Sequence, residues 1–497
     1  MKKKRTKLAI MLFASSMLLV ISSTRLNNNT PIVSHPKYAV RSNTSEQFDS
    51  VSDIKFSSEE ISKELQTQKN YYQKLYDSEK DDSEKAKIQS LIDANNDLTD
   101  QNNISLSSRA KAKSYSSEVN LVNAFFTSNG YVLSSELLLH AYSNGELDSM
   151  YTPVHKDLIT KSSVFQSIKT GTSLEGSNEF PNSGTVVDKD LYYAIHAFRF
   201  LKSPSGRVVN IEDRYDYAKS SNYPSISGVA VNWMYNAQEA GTLTPFFTSI
   251  AFSYDDMEVK NTTQDVQIGD VRMFEKAMGI GKKETRTFNV TFKRDGWKVL
   301  QTFGLVDTVL YLYDENGSLI KRDDDSGSGT NSYILLNASK NKKYKLVLKY
   351  LNDTKFGATR LVITNSFYDK DFNAESMDTY QNIYSITNEN FIWYSYVGEH
   401  HSHLLRIIPP MRGRFQIDAI SEFDNYLYII DPRSGFSTRN EDKNDDGGDG
   451  RNARITKDLN SGTNYLVIYS QYNPSATFSN YDSGDDLQIH LAKTKSL

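Results

Sequence analysis

The sequence predicts a multidomain protein: an N-terminal helical spacer, an α+β middle domain, and two all-β sandwich domains of jelly-roll-like kind in the C-terminal half. Three observations lead there. A stretch occurs twice, as Asp307-Thr-Val-Leu-Tyr-Leu-Tyr-Asp314 and Asp424-Asn-Tyr-Leu-Tyr-Ile-Ile-Asp431, each followed by an acidic glycine-rich loop, an Asn and a Tyr-centred apolar run; repetition on this scale means two copies of one module. Each copy carries short β runs broken by turn residues at the spacing of roughly 8–12 residues that marks a sandwich. Ahead of them, apolar residues fall near the 3.6-residue period of helices.

The chain opens Met1-Lys-Lys-Lys-Arg5 and then runs uncharged from Leu8 to Thr24, the basic and apolar regions of a secretory signal, 1–24. The run falls short of the roughly 20 residues that span a bilayer. Export with cleavage near Ser22 to Arg25 is therefore expected, and an uncleaved segment would act as a membrane anchor. Cysteine is absent, so an exported chain must rely on large cores or bound ions instead of disulfides, as suits a Gram-positive-type cell surface. The formal net charge of −4 over 497 residues argues against a dedicated nucleic-acid binder. Aromatics reach 12%, with 31 Tyr and 24 Phe, which fits half-exposed sheet faces and flat surfaces for ligands.

Residues 25–56 are polar and aperiodic and read as a linker. Ser57-Ser-Glu-Glu60 is a capping box ahead of Ile61, Leu65, Tyr72 and Leu75, and Ile88, Leu91, Ile92 and Leu98 mark a second helix. With a break at 77–83, the two form a helical hairpin, a spacer over 57–115. The α+β domain covers 116–254. Val119–Thr127, Ser134–Tyr142 with Ser134 as N-cap, and Ser162–Lys169 read as helices. Leu191–Phe200 reads as a strand, Pro204-Ser-Gly206 as a turn, and Arg207–Asp213 as the returning strand. Ser225–Ala240 is a helix stopped by Gly241, and Pro245–Phe252 a closing strand. After a polar joint at 255–265, the two sandwiches occupy 266–367 and 378–495. The second copy lies 117 residues on at its first strand (424 − 307) and 121 at the Asn (452 − 331), so the second acidic loop is the longer one. Asn390–Val397 is aligned with Thr285–Phe292, which makes Gly398–His403 the equivalent of the turn at Arg294-Asp-Gly296.

The acidic loops are Lys321-Arg-Asp-Asp-Asp-Ser-Gly-Ser-Gly-Thr-Asn331 and Asn440-Glu-Asp-Lys-Asn-Asp-Asp-Gly-Gly-Asp-Gly-Arg-Asn452. They crowd hard oxygen donors onto flexible backbone, and Ca²⁺ takes six to eight oxygens at about 2.3–2.6 Å. Candidate ligands are Asp323, Asp324, Asp325 and Asn331 in the first loop, and Asp442, Asp445, Asp446 and Asp449 in the second. Neither loop has EF-hand spacing. The same residue types are also the ordinary turn formers of a hairpin.

Asp307–Gly317, the run Asp323–Ser332 and the strand Tyr344-Lys-Leu-Val-Leu348 together resemble the bacterial pre-peptidase C-terminal domain, a small β-sandwich that follows secreted peptidase catalytic domains. The first copy matches over about 70 residues. The second is diverged, with Pro432–Ser437 in place of Glu-Asn-Gly. The resemblance implies a secreted, often calcium-associated accessory module that aids substrate binding, secretion or surface attachment, and it implies no activity by itself.

Peptidase signatures are missing upstream: there is no His-Glu-x-x-His, no Gly-x-Ser-x-Gly and no cysteine, and His140, His155 and His196 are scattered. One compact polar cluster, Glu212-Asp-Arg-Tyr-Asp-Tyr217, offers Asp213, Tyr215 and Asp216 as catalytic candidates. It resembles the catalytic motif of colicin M-type bacteriocins, which implies cleavage of a lipid-linked peptidoglycan precursor with a divalent cation. Ser220-Ser-Asn-Tyr-Pro224 stands where that motif has a His-Arg pair. Otherwise these carboxylates serve as caps or ion-pair partners. His400-His-Ser-His403 has imidazoles that can share a transition metal, or it is a solvated turn. The sequence therefore predicts a secreted or surface protein that binds extracellular matrix, cell wall or a protein ligand, with Ca²⁺ and without nucleic acid. The alternative is a secreted hydrolase or bacteriocin-like toxin active in 116–254.

Overall fold

The computed structural model describes residues 57–103, 115–217, 226–269, 273–365, 390–397, 402–421, 424–463, 465–471 and 485–496. The expected signal (1–24), the linker (25–56), Ser220–Pro224, His400 and His401 lie outside them. The chain divides into two units. One is drawn from Met1–Ile168, Gly176–Arg199 and Glu212–Ile250, the other from Lys169–Glu175, Phe200–Ile211 and Ala251–Leu497. A helical N-terminal region is followed by sheets of β-sandwich character.

Seven helices are described: α1 (Ser58–Ser78), α2 (Asp82–Asn103), α3 (Ser116–Asn129), α4 (Val132–Ser143), α5 (Ser163–Thr170), α6 (Val186–Ala194) and α7 (Ile226–Glu239). They accompany a sheet of order β1-β5-β4-β3-β2, made of β1 (Ser149–Tyr151), β2 (Glu175–Glu179), β3 (Ala197–Lys202), β4 (Val208–Tyr215) and β5 (Phe246–Ser253). The capping box that starts α1 forms as its sequence dictates: Glu60 N donates to Ser57 Oγ (3.2 Å), and Ser57 N donates to Glu60 Oε2 (2.9 Å). The spacer reading of α1 and α2 is corrected. Ile61, Leu65, Tyr72, Ile88, Leu91 and Leu98 are buried together with the amides of Gln68 and Asn95. Those amides find partners only through packing: Asn123 Nδ2 donates to Gln68 Oε1 (2.7 Å), and Asn95 Nδ2 to Leu65 O (2.9 Å). Buried amides must be hydrogen-bonded, so these helices belong to the helical layer with α3 and α4.

Two further expectations change. Ser134 lies inside α4 and does not cap it; Asp190 does, with Leu133 N and Ser134 N donating to its carboxylate at 2.9 and 2.8 Å. Leu191–Phe200 is not one strand. Thr185 and Asp188 form a second capping box, the helix runs to Ala194, the chain turns at His196 with φ 49°, and only then does β3 begin. Leu191 and Ala194, both buried, fit one helical face as well as they fit an alternating strand.

The first sandwich is built from β6 (Thr262–Ile268), β7 (Phe274–Ile280), β8 (Arg286–Phe292), β9 (Gly296–Phe303), β10 (Thr308–Tyr313), β11 (Leu319–Asp323), β12 (Tyr333–Ala338), β13 (Lys343–Tyr350) and β14 (Gly357–Asn365). Its sheets have the orders β11-β10-β13-β8-β6 and β12-β9-β14-β7. Part of the expected joint at 255–265 is thus strand, since β6 pairs in parallel with β8. The second sandwich has β15 (Asn390–Val397), β16 (Ser402–Ile407), β17 (Gly413–Ile420), β18 (Asn425–Ile430), β19 (Lys443–Asn444), β20 (Arg454–Leu459), β21 (Tyr465–Gln471) and β22 (Asp485–Ser496). Its orders are β19-β18-β21-β16 and β20-β17-β22-β15, strand for strand those of the first without β6. This equivalence sets β15 against β7 and β16 against β8, correcting the alignment of Asn390–Val397 with Thr285–Phe292. β15 and β16 lie in different sheets and are not paired with each other, and His403 lies in β16 opposite Tyr469; residues 398–401 lie outside the described residues.

Each sandwich encloses its own core. Phe288, Val290, Leu310, Leu346 and Leu361 meet in the first, and Phe415, Ile417, Leu427, Val467 and Ile489 in the second. A third cluster joins them: Val299, Tyr333, Leu335 and Val362 on the outer face of one sheet of the first sandwich pack on Tyr428, Ile430, Leu466 and Ile468 of the second. Polar pairs seal this joint. The buried Arg360 reaches Glu275 Oε1 (3.0 Å) and Asp431 O (3.3 Å), and Thr438 N donates to Glu275 Oε1 (2.8 Å). Gly304 N donates to Pro432 O (3.0 Å). A Cβ on Gly435 would lie 2.6 Å from the carbonyl of Ala358, so glycine is required where the two backbones touch. The diverged segment Pro432–Ser437 is thus one part of the second module's contact with the first.

Candidate functional site

The two acidic loops close in the same way. Gly327 N donates to Asn331 O and Gly448 N to Asn452 O, each at 2.8 Å. A Cβ at either glycine would meet that oxygen at 2.4 or 2.8 Å. Within this shared frame the predicted ligands separate by role. Asp323 is buried and accepts from Ser326 N (3.2 Å) and Tyr333 N (2.7 Å), which makes it a turn-closing residue. Asp324 pairs with Arg322 at 2.8 Å, and Asp325 is exposed. Asn331 is buried, its Nδ2 donating to Ser328 O (2.7 Å) and reaching the joint at Pro432 O (3.4 Å). In the second loop Asp442 is paired with Lys457. Asp445 accepts from Asp446 N (3.1 Å), and the carbonyl of Asp449 accepts from Asn452 Nδ2 (3.0 Å).

Two residues stand out that were quoted in the sequence only as markers of the repeat. Asp307 and Asp424, equivalent residues immediately before β10 and β18, each have Oδ1 buried without a partner. Burial pushes the Asp307 carboxyl above its ordinary range, helped by the charges of Asp325 and Asp324. At Asp424 burial again leads, with Asp446 and Asp445 adding and Arg451 opposing. Each module thus sets a desolvated carboxylate against two loop aspartates. Asn331 Oδ1 is a further buried acceptor without a donor. Hard, unpartnered oxygens of this kind fit Ca²⁺ chemistry. Among the described residues, no group of three or more His, Cys, Asp or Glu already converges on one point. The available signal was that Asp307 and Asp424 are the first residues of the duplicated stretch.

The other predicted cluster is committed to structure. Arg214 Nε donates to Asp148 Oδ1 (2.8 Å) and its Nη1 to Asp216 Oδ2 (2.5 Å). Tyr215 is buried on Phe246, with ring centroids 5.1 Å apart, and its hydroxyl meets that of Tyr217 at 2.7 Å. Burial drives its phenol well above the ordinary range. The carbonyl of Asp213 accepts from Thr248 Oγ1 (3.3 Å). His140 stacks on Tyr151 at 3.7 Å and sits edge-on to Phe246; burial holds it down at about 4 against the charge of Glu136, so it is neutral at pH 7. His196 lies 3.9 Å from Glu179.

His155 belongs to a hydrogen-bonded chain that the sequence did not suggest, running from the buried Glu136 to the exposed Tyr71. Tyr151 OH (2.7 Å) and Val154 N (2.6 Å) donate to Glu136 Oε1. On Oε2 sit His155 N (3.0 Å) and His155 Nδ1 (2.5 Å), and Nε2 of the same ring meets Tyr71 OH at 2.6 Å. Nearby, Ser90, Asp93, Asp97, His140, Tyr142 and Asn144 line an open polar cleft of about 440 Å³.

No family model and no curated protein matches this chain. Solved structures do. The pre-peptidase C-terminal domain of collagenase from Bacillus anthracis is 19% identical over 21% of this chain and 98% of its own, with a TM-score of 0.17. PliG of Aeromonas hydrophila, a periplasmic inhibitor of g-type lysozyme, is 12% identical over 21% of this chain and 97% of its own, TM-score 0.18. The PBSX exported protein XepA is 9% identical over 44% of this chain and 86% of its own, TM-score 0.15. Among the described residues no helix is long and apolar enough to cross a membrane.

Proposed function

We propose that this chain is an exported binding protein whose two sandwiches are modules of the pre-peptidase C-terminal kind, each taking Ca²⁺ beside Asp307 or Asp424 and together engaging an extracellular ligand. One observation carries the reading: in both modules the equivalent carboxylate has an oxygen buried without a donor, and the charges of two loop aspartates act on it. A divalent cation would satisfy that oxygen and remove the repulsion, and Asp324, Asp325, Asp445 and Asp446 would share it. The first loop would then act on the joint as well, because Asn331 bridges to Pro432. The alternative of a hydrolase or toxin centred on Asp213, Tyr215 and Asp216 is not favoured, with Asp216 held by Arg214 and Tyr215 turned into the core.

The test is thermal unfolding of the full chain with Ca²⁺ or EDTA. Calcium at 100-fold its Kd stabilises by about 2.7 kcal/mol, a rise on the order of 10 °C for a domain of this size. The gain should vanish in Asp307→Ala with Asp424→Ala, and shrink in Asp325→Ala with Asp446→Ala. An EDTA melting curve that superimposes on the calcium curve removes the ion from the proposal.

A further inference from the structure

The joint between the sandwiches uses the outer face of the β18–β21 sheet, where Tyr428, Ile430, Leu466 and Ile468 are buried. Among the described residues, the equivalent face of the first sandwich, on β10 and β13, has no such cover. Its residues at the matching positions are Tyr311, Tyr313, Lys345 and Val347, and all four are half-buried or exposed. Strand order and register make the comparison direct, because Tyr311 sits opposite Val347 and Tyr313 opposite Lys345, as Tyr428 sits opposite Ile468 and Ile430 opposite Leu466. A surface that is apolar where it is covered is aromatic and cationic where it is open.

The chemistry of the open face is organised. The rings of Tyr311 and Tyr313 lie parallel within 16°, with centroids 6.5 Å apart. Arg322, paired with Asp324 at 2.8 Å, stands 5.8 Å over Tyr311, and Lys345 stands 5.9 Å over Tyr313. Lys343, two residues along β13, is exposed on the same side. The one carboxylate on the facing part of β6, Asp265, accepts from Asn289 Nδ2 at 2.8 Å. A chain docking here meets flat ring faces flanked by cations.

We infer that this face binds an acidic polysaccharide, the C–H faces of its sugar rings lying on Tyr311 and Tyr313 and its carboxylates meeting Lys343 and Lys345. The inference deepens the reading of the sandwiches as binding modules and rests on it. Charge complementarity selects an anionic chain over a neutral one. Single-stranded nucleic acid also stacks on aromatic rings, but it needs a longer cationic track along its backbone.

Titration of the full-length protein with polygalacturonate, neutral dextran and a thymidine oligonucleotide, each at 50 and 500 mM NaCl, tests this. Polygalacturonate should bind at low salt and weaken at least tenfold at high salt. Tyr313→Ala and Lys345→Glu should each weaken it about tenfold with unchanged melting temperature, while the same charge reversal at the exposed Lys63 on α1 leaves affinity unaltered. Dextran binding as tightly as polygalacturonate, or oligonucleotide binding alone, overturns the assignment. So does wild-type affinity in both face variants. If none of the three binds while calcium still raises the melting temperature, the ligand class falls and the calcium reading stands.

Discussion

Replacing Glu136 by Gln isolates the contribution of one buried carboxylate. Glu136 is fully buried and takes two donors on each oxygen: Tyr151 OH and Val154 N on Oε1, His155 N and Nδ1 on Oε2. Glutamine keeps an acceptor at Oε1, so Tyr151 and Val154 remain satisfied. At Oε2 it places an NH₂ against the backbone N–H of His155 and its ring, and two charge-assisted bonds are lost. At about 1.5–3 kcal/mol each, the two bonds amount to about 3–6 kcal/mol, close to the roughly 3–5 kcal/mol for breaking a buried ionic contact from one side. For a unit of this size that lowers the unfolding transition by roughly 10 °C. Burial alone would push the Glu136 carboxyl up. The hydrogen bond and charge of His155, with Tyr151 and Val154 N, outweigh burial and hold it below the ordinary range. Its contribution is therefore fully present above the unfolded-state pKa of about 4.3 and is lost as pH falls through the lower folded value. Calorimetry of Glu136→Gln at pH 7 and pH 3.5 should show a large deficit at pH 7 that narrows in acid. A deficit under about 1 kcal/mol at pH 7, or parallel loss in both proteins on acidification, would refute the reasoning.

Two further outcomes follow from the fold. Asp190→Ala removes the cap that accepts from Leu133 N and Ser134 N; the expected loss is about 2 kcal/mol, with faster amide exchange confined to the first turn of α4. Ile468→Asp puts a carboxylate into the joint at a position with 0% exposure; amide protection should fall in β12, β14 and β18 while the two sandwich cores stay protected, and unchanged protection in β14 would disprove that this cluster joins the modules.

What the sequence disclosed and what it hid follow from the range of the interactions involved. The capping box at Ser57 and Glu60 was legible because both partners lie within one helical turn. Asp190 was not, since it caps a helix at a separation of 57 positions from Leu133. The sandwiches were legible through their alternating strands and turns, yet β7, Phe-Glu-Lys-Ala-Met-Gly-Ile, does not alternate, and without it Asn390–Val397 was set against the wrong strand. The acidic loops were visible as composition. The carboxylates they face, Asp307 and Asp424, were visible only as repeat markers, because desolvation is a property of the folded chain. Pro432–Ser437 was read as divergence, and only the packed modules explain it as a docking segment.

The close approach of Gly435 to Ala358 has a consequence for how the paired sandwiches meet a long ligand. Where two backbones touch, no side chain can cushion or tilt the contact, so the spacing between the modules is set in advance. The second module's counterpart of the Tyr311–Tyr313 face is buried in this joint, so a long ligand meets one open face on a pair that gives up little internal motion when it binds. The pair would behave as a single stiff platform, the second module serving as the backing that keeps the open face of the first in place.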